Sequence, residues 1–420
     1  MGNKSLTRSA IFLLACLSAL MPAPVRAAVE PVFSPTGPDA IAYGSEAGYP
    51  IGPRLATPIP QTYLIGTLSQ FDRKYDHRVV ARPATTSALR RGAEEPRIEY
   101  RYQGTMRDIP DYLERHPATG LLIAVGDTIL MERYRYARTD RHRFVSQSMA
   151  KTITAMLIGV AVDEGAIRSI DQTAAEYVPG LAGTAYGGTS IRDLLHMASG
   201  VAYVETYDGN DDSARMGRAM FDRNSPGTVR AVAQFNNREV PAGTRFHYAG
   251  SETVTLGLVL AAATKTTLAR YAETRLWQPL GAEADATWMI DPSGHEPAQC
   301  CFSAVLRDWA RLGLMLAHDG AWNGRQIIPK AWILDATSVQ APWQAPRVAT
   351  PFYGYGYQVW LLPGSRRQFA LLGIYGQAIF VDPAAKLVLV HTAARVKPSR
   401  DPMAAEVVAL WQGLVARYSR

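Results

Sequence analysis

The sequence predicts an α/β (α+β) fold: an antiparallel sheet flanked by helices, with an inserted all-helical domain. Strand-like segments occur at residues 121–125 and 128–134 and return in the last third, at 357–361, 368–374, 377–381 and 387–391. The stretch between them carries apolar residues at helical spacing, broken by Gly and Pro. A composition of 47% apolar residues over 420 positions supplies enough material for a large core. There is no internal repeat.

The chain begins with an export pattern. Lys4 and Arg8 precede an apolar run from Ala10 to Met21, followed by Pro22, Pro24 and the small-residue ending Val25-Arg26-Ala27. This three-part order predicts a signal peptide over residues 1–27, cleaved after Ala27. The run is too short for a membrane span, and no other stretch is long and apolar enough. Lipoprotein processing at Cys16 is the rival, disfavoured because apolar residues continue past it. The predicted location is therefore periplasmic or secreted. Residues 28–100 are rich in Pro and Gly and predict an irregular arm over the main body.

The sheet domain is predicted from residues 101–165 and 300–420, and the mainly helical domain from 166–299. Gly126-Asp127 forms the hairpin turn between the first two strands. Ile153, Met156, Leu157 and Val160 form one apolar helix stripe, which Gly165 ends. Further helices are predicted at 191–197, 252–263 and 268–277. Ser303 is expected to cap another over 305–317, and Asp401-Pro402 to open the last.

Chemistry concentrates where sheet and helix join. Ser148 and Lys151 stand three residues apart, so on a helix their side chains meet. A serine in the first turn lies near backbone N–H groups without intrahelical partners, which suit a developing oxyanion. An amine one turn on can take the serine proton. The tetrapeptide by itself also fits a capping serine beside a solvated lysine. Tyr248, at the mouth of the 252–263 helix, is a second proton carrier, since a nearby ammonium can lower a tyrosine pKa; a packed loop aromatic is the bland alternative. Gly373 and Gly376 interrupt an apolar strand and permit close approach of a ligand or backbone, or mark a bulge.

Taken in order, Ser148-Met-Ala-Lys151, Leu194-Leu-His-Met-Ala-Ser-Gly200, Phe246-His-Tyr248-Ala-Gly250 and the Gly373 strand resemble the serine β-lactamase-like hydrolases. That family includes class C β-lactamases, D,D-peptidases and esterases. The stretches 248–253, 280–288 and 373–377 look closest to its nylon-oligomer (6-aminohexanoate-dimer) hydrolase branch. The resemblance implies a β-lactamase/transpeptidase-like fold. It implies Ser148 as acylated nucleophile, Lys151 as its proton partner and Tyr248 as base or acid. The backbone N–H groups of Ser148 and Ile374 would form the oxyanion hole. Tyr203, Tyr207, Trp288, Gly373 and Tyr375 are the candidate substrate contacts.

Two departures shape the expected substrate. Penicillin-recognising relatives carry Lys or His where this chain has Leu371, and class C enzymes carry Asn where it has Gly250. The expected substrates are small esters or linear amides with neutral acyl groups, with poor turnover of β-lactams. Arg245 is the first alternative source of a cation. The reading from another class is a catalytically silent, penicillin-binding-like protein that binds cell-wall fragments or a protein partner.

Other classes find no support. The net charge of +7 falls to +4 without Lys4, Arg8 and Arg26, and no basic stripe interleaved with aromatics points to nucleic acid. No cofactor or metal motif is present: Asp208-Gly-Asn-Asp-Asp212 resembles a calcium loop but has Ser213 and Ala219 at its sixth and twelfth positions. Cys300 and Cys301 are expected as buried thiols before a helix. The oligomeric state is not legible.

Overall fold

The computed structural model of the chain describes residues 1–2, 28–54, 58–222 and 224–418. The expected signal peptide and its cleavage point, and the alternative at Cys16, fall in residues 3–27 and lie outside the described residues.

Among the described residues nine strands form the main sheet: β1 (Val32–Phe33), β2 (Arg90–Arg91), β3 (Ala118–Val125), β4 (Thr128–Tyr134), β5 (Gly354–Tyr355), β6 (Trp360–Leu361), β7 (Phe369–Gly373), β8 (Gln377–Asp382) and β9 (Leu387–Ala393). Their order is β1-β4-β3-β9-β8-β7-β6-β5, with β2 also on β4. Pairing is antiparallel from β4 to β5, while β1 and β2 run parallel to β4 at the edge. β9 is a continuous buried run, as suits a central strand covered on both faces.

Six helices matter to the site: α1 (Gln61–Ser69), α2 (Ala150–Asp163), α3 (Asp212–Phe221), α4 (Gly250–Thr264), α5 (Leu306–Ala317) and α6 (Ala404–Tyr418). α5 crosses one face of the sheet and α6 packs on the other. A Cβ on Gly313 of α5 would lie 2.7 Å from a Val388 methyl carbon, so the missing side chain lets helix and sheet close up. α2 is buried on every face from Ala150 to Ala161, not on the one stripe expected. It lies between the sheet body and a helical layer built on α4, and a helix covered all round needs no polar face.

The arm is more ordered than expected. It contains α1 and the strand His77–Val80, which pairs with Ala286–Met289 in a second sheet. That sheet continues through Phe302–Ala304 to Phe144–Val145, just before Ser148. Ser303 therefore lies in a strand, and Val305 occupies the cap position of α5. Cys300 and Cys301 are joined in a disulfide between neighbours, where sequence reasoning expected free thiols. Among the described residues no helix is long and apolar enough to cross a membrane.

Candidate active site

Ser148 sits in the 3₁₀ turn Gln147–Met149 that feeds α2. The preceding residue is clamped to the second sheet: the Ser146 N–H donates to the Phe302 carbonyl at 2.7 Å, and Ser146 Oγ accepts from the Phe302 N–H at 3.1 Å. From the other side β7 presses in. A Cβ on Gly373 would stand 2.6 Å from the Ser146 carbonyl oxygen, so glycine is what permits this approach. One turn on, Lys151 Nζ donates to Ser148 Oγ at 2.9 Å and to the Gln299 carbonyl at 3.2 Å. Lys151 is buried, with no carboxylate ion partner among the described residues. Burial pushes its amine down to about 8, partly countered by the charge of Glu205.

Tyr248 lies just before α4, with its ring stacked on Trp360 at 5.3 Å and edge-on to Tyr355. Lys151 Nζ is 5.0 Å from its ring centroid, and its hydroxyl interacts with Ser148 and Tyr207. The expected lowering of this phenol does not occur. Burial, reinforced by Glu205, pushes it up despite the bonds to Ser148 and Tyr207. It stays neutral near pH 7, able to pass a proton but not to wait as a phenolate.

Ser148 lies where two cavities meet. The larger, of about 550 Å³, is lined by Tyr248, Trp360, Leu372, Gly373 and Ile374 among others. The smaller, of about 230 Å³, is lined by Lys151, Gln299, Cys300, Cys301 and Tyr375 among others. Ser148, Glu205, Tyr207 and Ile374 line both.

The structure thus gathers Ser148, Lys151, Tyr248, Gly373, Ile374, Tyr207 and Tyr375 at one site. Tyr375 is held at φ 63°, and its hydroxyl accepts the Ile59 N–H from the arm at 3.0 Å. Trp288 and Tyr203 do not belong there. Trp288 is fully buried in the second sheet, donating to the Cys300 carbonyl at 3.0 Å and packing on Phe302. Tyr203 is buried against Phe235, and its carbonyl is bonded to His247 at 2.6 Å. Leu371 also turns away, fully buried in the main core, whereas Leu372 faces the larger cavity. Arg245 is half-exposed, 3.5 Å from Glu239, and lines neither cavity.

The 194–200 motif acts as scaffolding. The carbonyls of Leu194 and Leu195 accept from Gln358 Nε2, whose side-chain oxygen takes the Thr253 hydroxyl of α4. The Gln358 carbonyl accepts from Thr152 of α2, so one glutamine ties three elements together. His196 is buried against Tyr357 and held down to about 4, hence neutral.

Sequence reasoning missed Glu205, which accepts the Gly250 N–H at 2.6 Å and the Tyr207 hydroxyl. Nothing in Tyr203-Val-Glu205-Thr-Tyr207 marks it, because its neighbours at the site come from distant loops. Asp211 organises that loop, accepting from the N–H groups of Thr206, Tyr207 and Ala214 while capping α3. This is capping, not the calcium geometry considered above.

A part-buried serine against a buried lysine at a helix start, between a sheet and a helical layer, is an arrangement that fits a serine hydrolase. The chain belongs to the Beta-lactamase family, whose model matches residues 107–411. A 6-aminohexanoate-dimer hydrolase of Paenarthrobacter ureafaciens is 29% identical over 305 residues, 69% of this chain and 76% of that protein. Among solved structures, one described as a candidate 6-aminohexanoate-dimer hydrolase from Bacillus anthracis has a TM-score of 0.74 at 23% identity, over 84% of this chain and 93% of its own. A family VIII carboxylesterase has a TM-score of 0.55 at 18% identity, over 71% and 93%.

Proposed function

We propose that the protein is an exported hydrolase of small esters and linear amides working through an acyl-enzyme on Ser148. The observation that carries this reading is the 2.9 Å contact between Ser148 Oγ and an amine that burial holds at about 8. Roughly a tenth of such an amine is neutral at pH 7. Neutral Lys151 accepts the Ser148 proton as Oγ attacks the carbonyl carbon. The N–H groups of Ser148 and Ile374 take the oxyanion. Tyr248 gives its proton to the leaving oxygen or nitrogen and is reprotonated from Lys151. Water then attacks the ester on Ser148 by the reverse relay, releasing the acid.

The cavities divide the substrate. Tyr248 lines only the larger, so the leaving group belongs there, and the acyl group occupies the smaller beside Lys151. Two cavities meeting at the serine favour a linear molecule cut at an internal bond. With Leu371 buried, no cation stands at the position where penicillin-recognising relatives carry one. The test is kcat/KM for p-nitrophenyl butyrate and a small linear amide against a chromogenic cephalosporin. The expected order places the ester first and the cephalosporin last; a clear preference for the cephalosporin would overturn the substrate reading.

A further inference from the structure

Two cations that line the smaller cavity, Lys74 and Arg218, form no ion pair among the described residues. One wall of the cavity's lining comes from the arm, through Ile59, Phe71, Lys74 and Tyr75, and Arg218 of α3, itself exposed, also lines it. The arm segment lies before residue 107, where the family match begins, so this wall belongs to the part of the chain outside that match. Lys74 is half-buried, and its ammonium lies 5.3 Å from the Tyr75 ring centroid. No carboxylate is paired with it among the described residues. Arg54 lies over the same ring at 5.4 Å, and its nearest acid is Asp76 at 3.6 Å. Arg218 reaches the Gly209 carbonyl at 3.2 Å and forms no ion pair among the described residues.

Two acids, Glu205 and Asp211, also line the cavity, but their oxygens are held by neutral donors and neither is ion-paired to Lys74 or Arg218. Glu205 holds the Tyr207 hydroxyl and the Gly250 N–H, and Asp211 holds three backbone N–H groups. Desolvation, with Arg54 adding repulsion, pushes Lys74 down to about 8, which marks an ammonium lacking a counter-anion. A carboxylate arriving in the cavity would supply one, and charge-assisted hydrogen bonds of this kind are among the stronger polar contacts.

We propose that Lys74, with Arg218, forms a carboxylate-binding subsite in the smaller cavity, selecting acyl chains that end in a carboxylate. This rests on the assignment of the smaller cavity to the acyl group. It replaces the preference for neutral acyl groups expected from Leu371: the cation is contributed by the arm instead. The substrate class becomes ω-carboxyacyl esters and amides, in which a short methylene chain separates scissile carbonyl and anion.

The test compares mono-p-nitrophenyl adipate with p-nitrophenyl hexanoate, esters of equal chain length that differ in the terminal carboxylate. The wild-type enzyme is expected to favour the adipate about tenfold or more in kcat/KM, the scale of one charge-assisted contact. Lys74→Met should bring the adipate-to-hexanoate ratio close to one through KM, Lys74→Arg should retain most of it, and Arg218→Gln should lower it partway. A wild-type ratio near one, or a ratio that survives both Lys74→Met and Arg218→Gln, would overturn the subsite while leaving the hydrolase reading intact. Hydrolysis of neither ester would overturn that reading itself, and the subsite with it.

Discussion

Two polar clusters beside the main sheet handle charge differently. Around Glu406 the carboxylate itself is answered by several donors, although the far ring nitrogen of His116 has no hydrogen-bond partner among the described residues. The Glu406 carboxylate accepts from Arg115 at 2.6 and 2.7 Å, from Tyr100 at 2.7 Å, and contacts His116 at 2.8 Å. Burial alone would raise its pKa, but these bonds outweigh burial and hold it down to about 2. Around Ser148 the reverse holds: Lys151 has a hydroxyl and a carbonyl for partners but no carboxylate ion partner, so burial wins and the amine falls to about 8. A carboxylate held by a guanidinium, a phenol and an imidazole keeps one protonation state and serves stability. A buried amine held only by a hydroxyl and a carbonyl titrates near neutrality and can move protons.

Breaking the reactive cluster should have the largest effect. Lys151→Ala removes the proton acceptor, and kcat/KM for p-nitrophenyl butyrate should fall by about 10³ or more while the circular dichroism spectrum is retained. In the intact enzyme the same quantity should rise with pH through about 8, as the lowered amine loses its proton; a flat profile between pH 6 and 9 would separate Lys151 from the rate. Gly373→Ala should come next, since its Cβ would crowd the Ser146 carbonyl at 2.6 Å and displace the serine turn. A loss of roughly 10²-fold in kcat is expected from such a misplacement, with little change in melting temperature.

Breaking the ion-paired cluster around Glu406 should affect stability instead. Glu406→Gln leaves Arg115 and His116 without their anion and should cost about 3–5 kcal/mol in urea unfolding, with kcat nearly unchanged. Glu406 is depressed in the folded state, so its contribution is complete above its unfolded pKa of about 4.3 and is lost as pH falls towards about 2. Acid unfolding of the Gln variant should accordingly be shallower in that window. The smallest effect is expected from Glu205→Gln. Glu205 raises the Lys151 pKa against burial, so its removal should move the pH–rate limb to lower pH by a fraction of a unit.

The legible features were local ones. Ser148 and Lys151 were readable because three residues along a helix fix their meeting, and β7, β8 and β9 because apolar runs of strand length define them. Tyr248 was placed by a motif, but the direction of its pKa was not. That direction is set by Tyr207, Glu205 and burial among side chains from separate loops. Trp288 and Tyr203 were misplaced because an aromatic side chain does not declare whether it faces a cavity or the core. The arm strand His77–Val80 was hidden because its partner, Ala286–Met289, lies about two hundred residues away and its own pattern hardly alternates. The disulfide of Cys300 and Cys301 was missed because neighbouring cysteines read as two thiols as readily as one bond.

Everything proposed for the site depends on Ser148 carrying the acyl group. Intact-protein mass spectrometry after incubation with a fluorophosphonate serine probe tests it most directly. One adduct is expected on the wild-type chain, mapped by peptide digestion to the segment containing Ser148, and none on a folded Ser148→Ala variant. An adduct of equal yield on the Ser148→Ala variant would contradict it.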